Sequence, residues 1–171
     1  MNNDKESYRN YENPASDRIL EMAADISPIL EKYGAGIFGG VAVEVYSKGR
    51  RHSVHDIDIL CPSETINDLS KAVAGHLKTD VELSPVGFDI LCIEGNPLLD
   101  IEIMSCNETE NVLHLPFGID TLIPLQNEWQ ELDDKKVLLV SKELLREMKS
   151  KSTRDTDKRD FKILGGTMFS R

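Results

Sequence analysis

Two glycines, Gly39-Gly40, are followed after fifteen intervening residues by Asp56-Ile57-Asp58. Backbone without a Cβ can approach a phosphate closely. The two aspartates flank one apolar residue in a run reading Asp-Ile-Asp-Ile-Leu. On a β-strand they project from the same face, with Cα atoms about 6.5–7 Å apart. One or two divalent cations can bridge that span. A phosphate-sized opening followed by a carboxylate pair points to magnesium-dependent phosphoryl or nucleotidyl transfer. Alone, either feature is commonplace: aspartates at strand ends face water, and Gly-Gly makes tight turns. Their coupling carries the reading.

The elements that must hold these residues follow from the spacing of apolar positions. Asn13-Pro14 reads as a helix start, with Asn as cap and Pro at the first helical position. Ile19, Leu20, Met22, Ala23, Ile26, Ile29 and Leu30 then recur at helical spacing. Pro28 is expected to kink or divide that helix, and Gly34 to end it. Ala35 to Phe38 is a short strand running into the glycine pair. Val41 to Tyr46 is ambiguous, since its β-branched residues and alternation favour a strand.

Ile57 to Cys61 reads as a central strand stopped by Pro62. Ser63 is expected to cap a helix reaching about Lys78, with Ile66, Leu69, Val73 and Leu77 on one face. Three short strands follow, over 81–83, 87–93 and 98–104, the last two joined by a turn at Glu94-Gly95-Asn96-Pro97. Residues 107–127 read as irregular. A second hairpin pairs Trp129–Leu132 with Val137–Val140, Ser141 caps a helix through about Ser150, and a final helix spans about Thr156 to Leu164. This order describes an α+β fold, a mixed or antiparallel sheet with helices on one face.

The 171 residues suffice for one domain with a small addition, and 40% of them are apolar, enough for a real core. We expect a flexible N-terminus over 1–12, a core over 13–140 and a C-terminal helical segment over 141–171. No apolar run is long enough to span a membrane, and the first residues lack the features of a secretory signal. A cytoplasmic protein with no membrane partner is expected. Cys61, Cys92 and Cys106 are odd in number and widely spaced, which supports neither a zinc site nor a disulfide framework. The net charge of −10 is uneven: residues 142–171 carry nine Lys/Arg against five Asp/Glu, so the preceding body is strongly acidic. Such a body repels polyanions and weighs against a nucleic-acid acceptor.

At Phe38-Gly39-Gly40-Val41-Ala42, then Arg50-Arg51-His52, then Asp56-Ile57-Asp58, the chain resembles the nucleotidyltransferase superfamily built on the DNA polymerase β type of palm. Within it the likeness is to the small lincosamide and aminoglycoside nucleotidyltransferases and the AbiEii-like proteins, whose signature is Gly-Gly-x-Ala, a basic segment, then Asp-x-Asp. The resemblance implies a helix after the glycines, where free N–H groups meet phosphate. It also implies a palm-like core with a short C-terminal helical addition. Val41 stands where some relatives carry a phosphate-binding serine.

The resemblance further implies a third carboxylate on a neighbouring strand. Leu98-Leu99-Asp100-Ile101-Glu102-Ile103 fits, with Asp100 preferred, Glu102 on the same face as runner-up, and Asp89 a weaker option. Asp56, Asp58 and Asp100 would then be catalytic and hold Mg2+ or Mn2+. Gly39, Gly40, Arg51 and Lys149 would bind the nucleoside triphosphate, and His55 would be structural. A second, weaker likeness covers the C-terminal segment, where Arg154, Asp157, Asp160 and Leu164 match a relative motif and Thr156 replaces its lysine. There Arg154 and Asp157 would organise the helix pair. The implied activity is transfer of a nucleoside monophosphate to an acceptor hydroxyl with release of pyrophosphate. A small-molecule acceptor is favoured over nucleic acid. The alternatives are a non-catalytic nucleotide-binding module, or a toxin-like enzyme acting on tRNA or protein.

Overall fold

Alternating isoleucines build the centre of the sheet, and the residues between them build the site. The structure, a computed structural model, describes residues 14–51, 53–83, 89–92, 100–106 and 125–167. In chain order the elements are α1 (Pro14–Lys32), β1 (Gly36–Ile37), α2 (Gly39–Ser47), β2 (Asp56–Cys61), a 3-10 turn (Ser63–Thr65) and α3 (Ile66–Leu77). Strands β3 (Val81–Leu83), β4 (Asp89–Cys92), β5 (Asp100–Ser105), β6 (Asn127–Leu132) and β7 (Lys135–Val140) follow, then helices α4 (Lys142–Lys151) and α5 (Asp155–Ile163). The strands form one sheet in the order β3-β4-β5-β2-β1-β7-β6. Two pairings are parallel, β2 with β5 and β1 with β7, and the others are antiparallel. This is the expected α+β class with a mixed sheet.

Ile57 and Ile59 on β2 and Ile101 and Ile103 on β5 are fully buried, as are Ile26 and Leu30 of α1 and Leu69 and Val73 of α3. Helix α1 packs on β7 and α3, and α3 packs on β5. Burial of each such side chain contributes roughly 1.5–3 kcal/mol. Because side chains alternate along a strand, a sheet that buries the isoleucines on one face must present the intervening acids on the other.

Several local expectations change. Pro28 does not divide α1, which runs unbroken from Pro14 to Lys32. The helix tolerates the missing amide because Ile26 and Leu30 on either side of it are held in the core. The expected cap Asn13 lies outside the described residues. Residues 41–46, by contrast, form the helix that the resemblance implies, despite their strand propensity. Gly39 at φ +60 turns the chain, and Val41, Ala42 and Val43 are all fully buried, so tertiary packing overrides local preference. Ser63 opens the 3-10 turn rather than capping α3, whose first turn follows Thr65 without a side-chain cap. Ser141 does cap α4, its Oγ accepting from Leu144 N at 3.2 Å. Strand β1 is only two residues, and the β6–β7 hairpin is longer than expected, with Asp133 at φ +55 in its turn. The turn expected at 94–97 and the irregular stretch to 124 lie outside the described residues. Cys61 and Cys106 are buried thiols.

Candidate active site

Parallel pairing of β2 with β5 sets Asp56 directly opposite Asp100 and Asp58 directly opposite Glu102. Register partners in a sheet share a face, so four partly buried carboxylates form a two-by-two block. Such crowding is costly: two unit charges 5 Å apart repel by about 3 kcal/mol at an effective dielectric of 20. The cost shows in the acids themselves. Burial first, then the charges of Asp56 and Glu102, push the Asp58 carboxyl from 3.8 up to about 7, against the pull of Lys149 and Arg51. Burial, Asp56 and Asp100 likewise raise Glu102, with Arg154 opposing. Asp89, the weaker third option, stands opposite Ile103 in the β4–β5 register, out of line with Asp100 and Glu102.

The glycine pair abuts this block. Phe38 N donates to Asp58 O at 2.9 Å, which ties the residue before the glycines to the strand that carries the acids. Gly39 then lies so close under the Asp58 side chain that a Cβ there would come within 1.7 Å of Oδ2. A Cβ on Gly40 would meet the Arg51 guanidinium, 2.6 Å from Nη1. Gly39 is thus required by contact and by its left-handed backbone, whereas a side chain at Gly40 would have to displace the end of Arg51. They open α2, whose N-cap Phe38 supplies no side-chain acceptor and whose first turn holds no acid. Its leading amides therefore carry a partial positive charge that no side chain of the cap or first turn offsets.

Cations gather beside the glycines. Arg51 Nε donates to Asp160 Oδ1 at 3.2 Å, its Nη1 donates to Ser53 O at 2.5 Å, and its main-chain N donates to Glu44 Oε2 at 3.0 Å. Lys149, nearly buried on α4, pairs with Asp157 Oδ1 and lies 3.0 Å from Asp160 Oδ2. Asp157 in turn accepts from Ser152 Oγ at 2.6 Å. Burial alone would raise Asp157, but the Lys149 charge and the hydrogen bonds from Lys149 and Ser152 hold it below the usual carboxylate range. Arg154 Nε is 3.7 Å from Asp157 Oδ2.

The structure therefore brings Gly39, Gly40, Arg51, Asp56, Asp58, Asp100 and Lys149 to one region, and adds Glu102 to it. His55 is exposed just before β2 and Arg50 is exposed as well, while His52 lies outside the described residues. Sequence reasoning gave Asp160 no role of its own, yet it joins Arg51 to Lys149. The available signals were its match to the C-terminal motif of the relatives and its spacing of three from Asp157, which places both acids on one face of α5. As to a metal, the donor set is all oxygen, as a hard cation such as magnesium requires. The raised Asp58 and Glu102 mark negative charge that a cation would relieve. The fit is one of donor type and register: among the described residues no three His, Cys, Asp or Glu side chains converge on a single point. A shallow groove of about 560 Å³ between α1 and the β6–β7 hairpin, lined by Glu21, Asp25, Trp129 and Lys135, shares no residue with this region.

Neither a protein-family model nor a curated protein sequence matches the chain. Solved structures do. An antigenic nucleotidyltransferase-like protein from Paracoccidioides brasiliensis superposes with a TM-score of 0.55 at 17% identity, covering 88% of this chain and 76% of that one. The antibiotic-resistance factor ANT(2'')-Ia gives 0.56 at 16% identity, over 88% of this chain and 83% of its own. The lincosamide antibiotic adenylyltransferase LnuA, solved with lincomycin bound, gives 0.53 at 19% identity, over 85% and 95%. The fold of this chain is that of nucleotidyltransferases.

Proposed function

We propose that this protein moves a nucleoside monophosphate from a nucleoside triphosphate to an acceptor hydroxyl in a metal-dependent reaction. The observation that carries the reading is the β2–β5 register, which sets Asp56 and Asp58 against Asp100 and Glu102 beside the glycine pair. Asp56, Asp58 and Asp100 would hold magnesium or manganese, which when bound supplies positive charge to the phosphate oxygens.

The residues divide the work by position. Main-chain amides at the start of α2 receive the phosphates, and Gly39 and Gly40 let them come close. Arg51 and Lys149 present positive charge to the β- and γ-phosphates. Asp100 accepts the proton of the acceptor hydroxyl. The hydroxyl oxygen bonds to the α-phosphorus as the bond from that phosphorus to the α–β bridging oxygen breaks. Pyrophosphate then leaves with the bridging oxygen. The acidic body of the chain favours a small acceptor, and LnuA, of the same fold, was solved with lincomycin bound.

Incubation with each of the four α-32P-labelled nucleoside triphosphates, magnesium and a panel of hydroxyl-bearing small molecules tests the reading. We expect labelled product and pyrophosphate, reduced more than 100-fold in Asp56→Ala. A non-catalytic nucleotide-binding module would bind triphosphate without releasing pyrophosphate. A protein that neither binds nor turns over any triphosphate would refute the proposal.

A further inference from the structure

Resting on that proposed function, we infer that Asp160 is a positioning residue for the triphosphate, holding Arg51 and Lys149 in register beside Gly40. Asp160 comes from α5, far from the glycines in sequence, and its side chain is only 5% exposed. Its two oxygens are divided between two cations. Oδ1 accepts from Arg51 Nε at 3.2 Å and Oδ2 lies 3.0 Å from Lys149 Nζ. One carboxylate thus bridges both positive groups.

A purely stabilising role explains this poorly. Buried ion pairs contribute little net stability relative to apolar packing of the same volume, because desolvating the charges is so expensive. Lys149 already has a counter-charge in Asp157, which Ser152 orients. What Asp160 adds is a fixed separation between Lys149 and Arg51. Arg51 needs such a restraint: its side chain is 23% exposed, and its guanidinium lies against Gly40, where the leading turn of α2 begins. Nη1 is held by Ser53 O and Nε by Asp160, so the plane of the fork is fixed from two sides. A preset fork loses less freedom when an anion arrives.

Charge and position predict opposite outcomes, which makes the inference testable. Removing the negative charge of Asp160 leaves the region more positive, so Coulomb attraction alone would tighten a polyanion. Loss of positioning would loosen it. Titration calorimetry of the full chain with α,β-methylene-ATP and α,β-methylene-GTP, each with magnesium, reads the difference. We expect Asp160→Asn to weaken binding at least tenfold and to raise KM for the triphosphate with kcat changed less than threefold. Ser152→Ala, which loosens the same helix junction without touching Arg51, should lower Tm and leave affinity within twofold. Unchanged or tighter binding by Asp160→Asn, or an equal loss in Ser152→Ala, overturns the inference. If Asp160→Asn is unfolded at 25 °C, Arg51→Lys carries the test, since it keeps the charge but loses the guanidinium fork. A folded Arg51→Lys with wild-type affinity would then overturn it. Wild-type protein that binds neither analogue would instead refute the proposed function.

Discussion

Replacing Asp58 with asparagine should stabilise the metal-free protein at neutral and alkaline pH. The Asp58 carboxyl is displaced from 3.8 to about 7, first by burial and then by Asp56 and Glu102. A displacement of that size corresponds to about 4 kcal/mol between the two protonation states. Asp58 is partly open to solvent, which screens the repulsion, so about 2–4 kcal/mol is the working range. The sign follows from linkage. Between pH 3.8 and 7 the folded chain holds a proton on Asp58 that the unfolded chain has released, so stability falls as pH rises through that window. Above pH 7 the whole penalty is present, and below 3.8 it is absent. Asparagine is always neutral and escapes it. For a chain of this length, about 2–4 kcal/mol is roughly 5–15 °C in melting temperature. Thermal melts followed by circular dichroism in EDTA, at pH 4.5 and 8.0, measure it. The difference between variant and wild type isolates Asp58 from the other acids. We expect the asparagine variant to melt higher at pH 8.0, with the gap mostly closed at pH 4.5. An equal gap at both values, or none at either, refutes the assignment of a strained buried acid.

Magnesium or manganese at millimolar concentration should raise the wild-type melting temperature by several degrees, because a bound cation relieves the same repulsion. Asp58→Asn should remove most of that gain, and a flat response to both metals would argue strongly against a carboxylate cluster. Gly39→Ala forces a side chain into a φ of +60 and onto the Asp58 carboxylate. It should cost about 1–3 kcal/mol in chemical denaturation and more than 100-fold in kcat/KM. Gly40→Ala pushes only the end of the Arg51 side chain out of its place between Ser53 O and Asp160, so its melting temperature should fall less than that of Gly39→Ala while KM for the triphosphate rises. Ser141→Ala removes the acceptor for Leu144 N and should destabilise the fold by about 1 kcal/mol in urea titration, with affinity for triphosphate intact.

Local chemistry was legible in the sequence, whereas distance was not. The alternation in Asp-Ile-Asp-Ile and Asp-Ile-Glu-Ile declares two strands, each with an acidic and an apolar face. It does not declare that the strands are neighbours, or that Asp56 meets Asp100 rather than Glu102. That register depends on a parallel pairing whose partners are separated by α3, β3 and β4. Residues 41–46 show local propensity and resemblance disagreeing, with the helix implied by the Gly-Gly resemblance being the one that forms. Their valines argue for a strand, and only burial of Val41 through Val43 on all sides makes a helix of them. Pro28 carries a local rule, that of helix breaking, which a well-packed segment overrules. The bridging role of Asp160 was out of reach for a different reason. A charged residue on an amphipathic helix is ordinary, and nothing in its neighbours announces an arginine drawn from the far end of the chain.

The bond from Phe38 N to Asp58 O is made by main chain on both sides, so no replacement other than proline at position 38 removes its donor. It works as a fixed gauge length between the mouth that would admit an anion and the acids that would work on it. Divergence within this scaffold is thereby channelled outward, toward whatever surrounds the incoming hydroxyl, while the spacing at its heart stays locked.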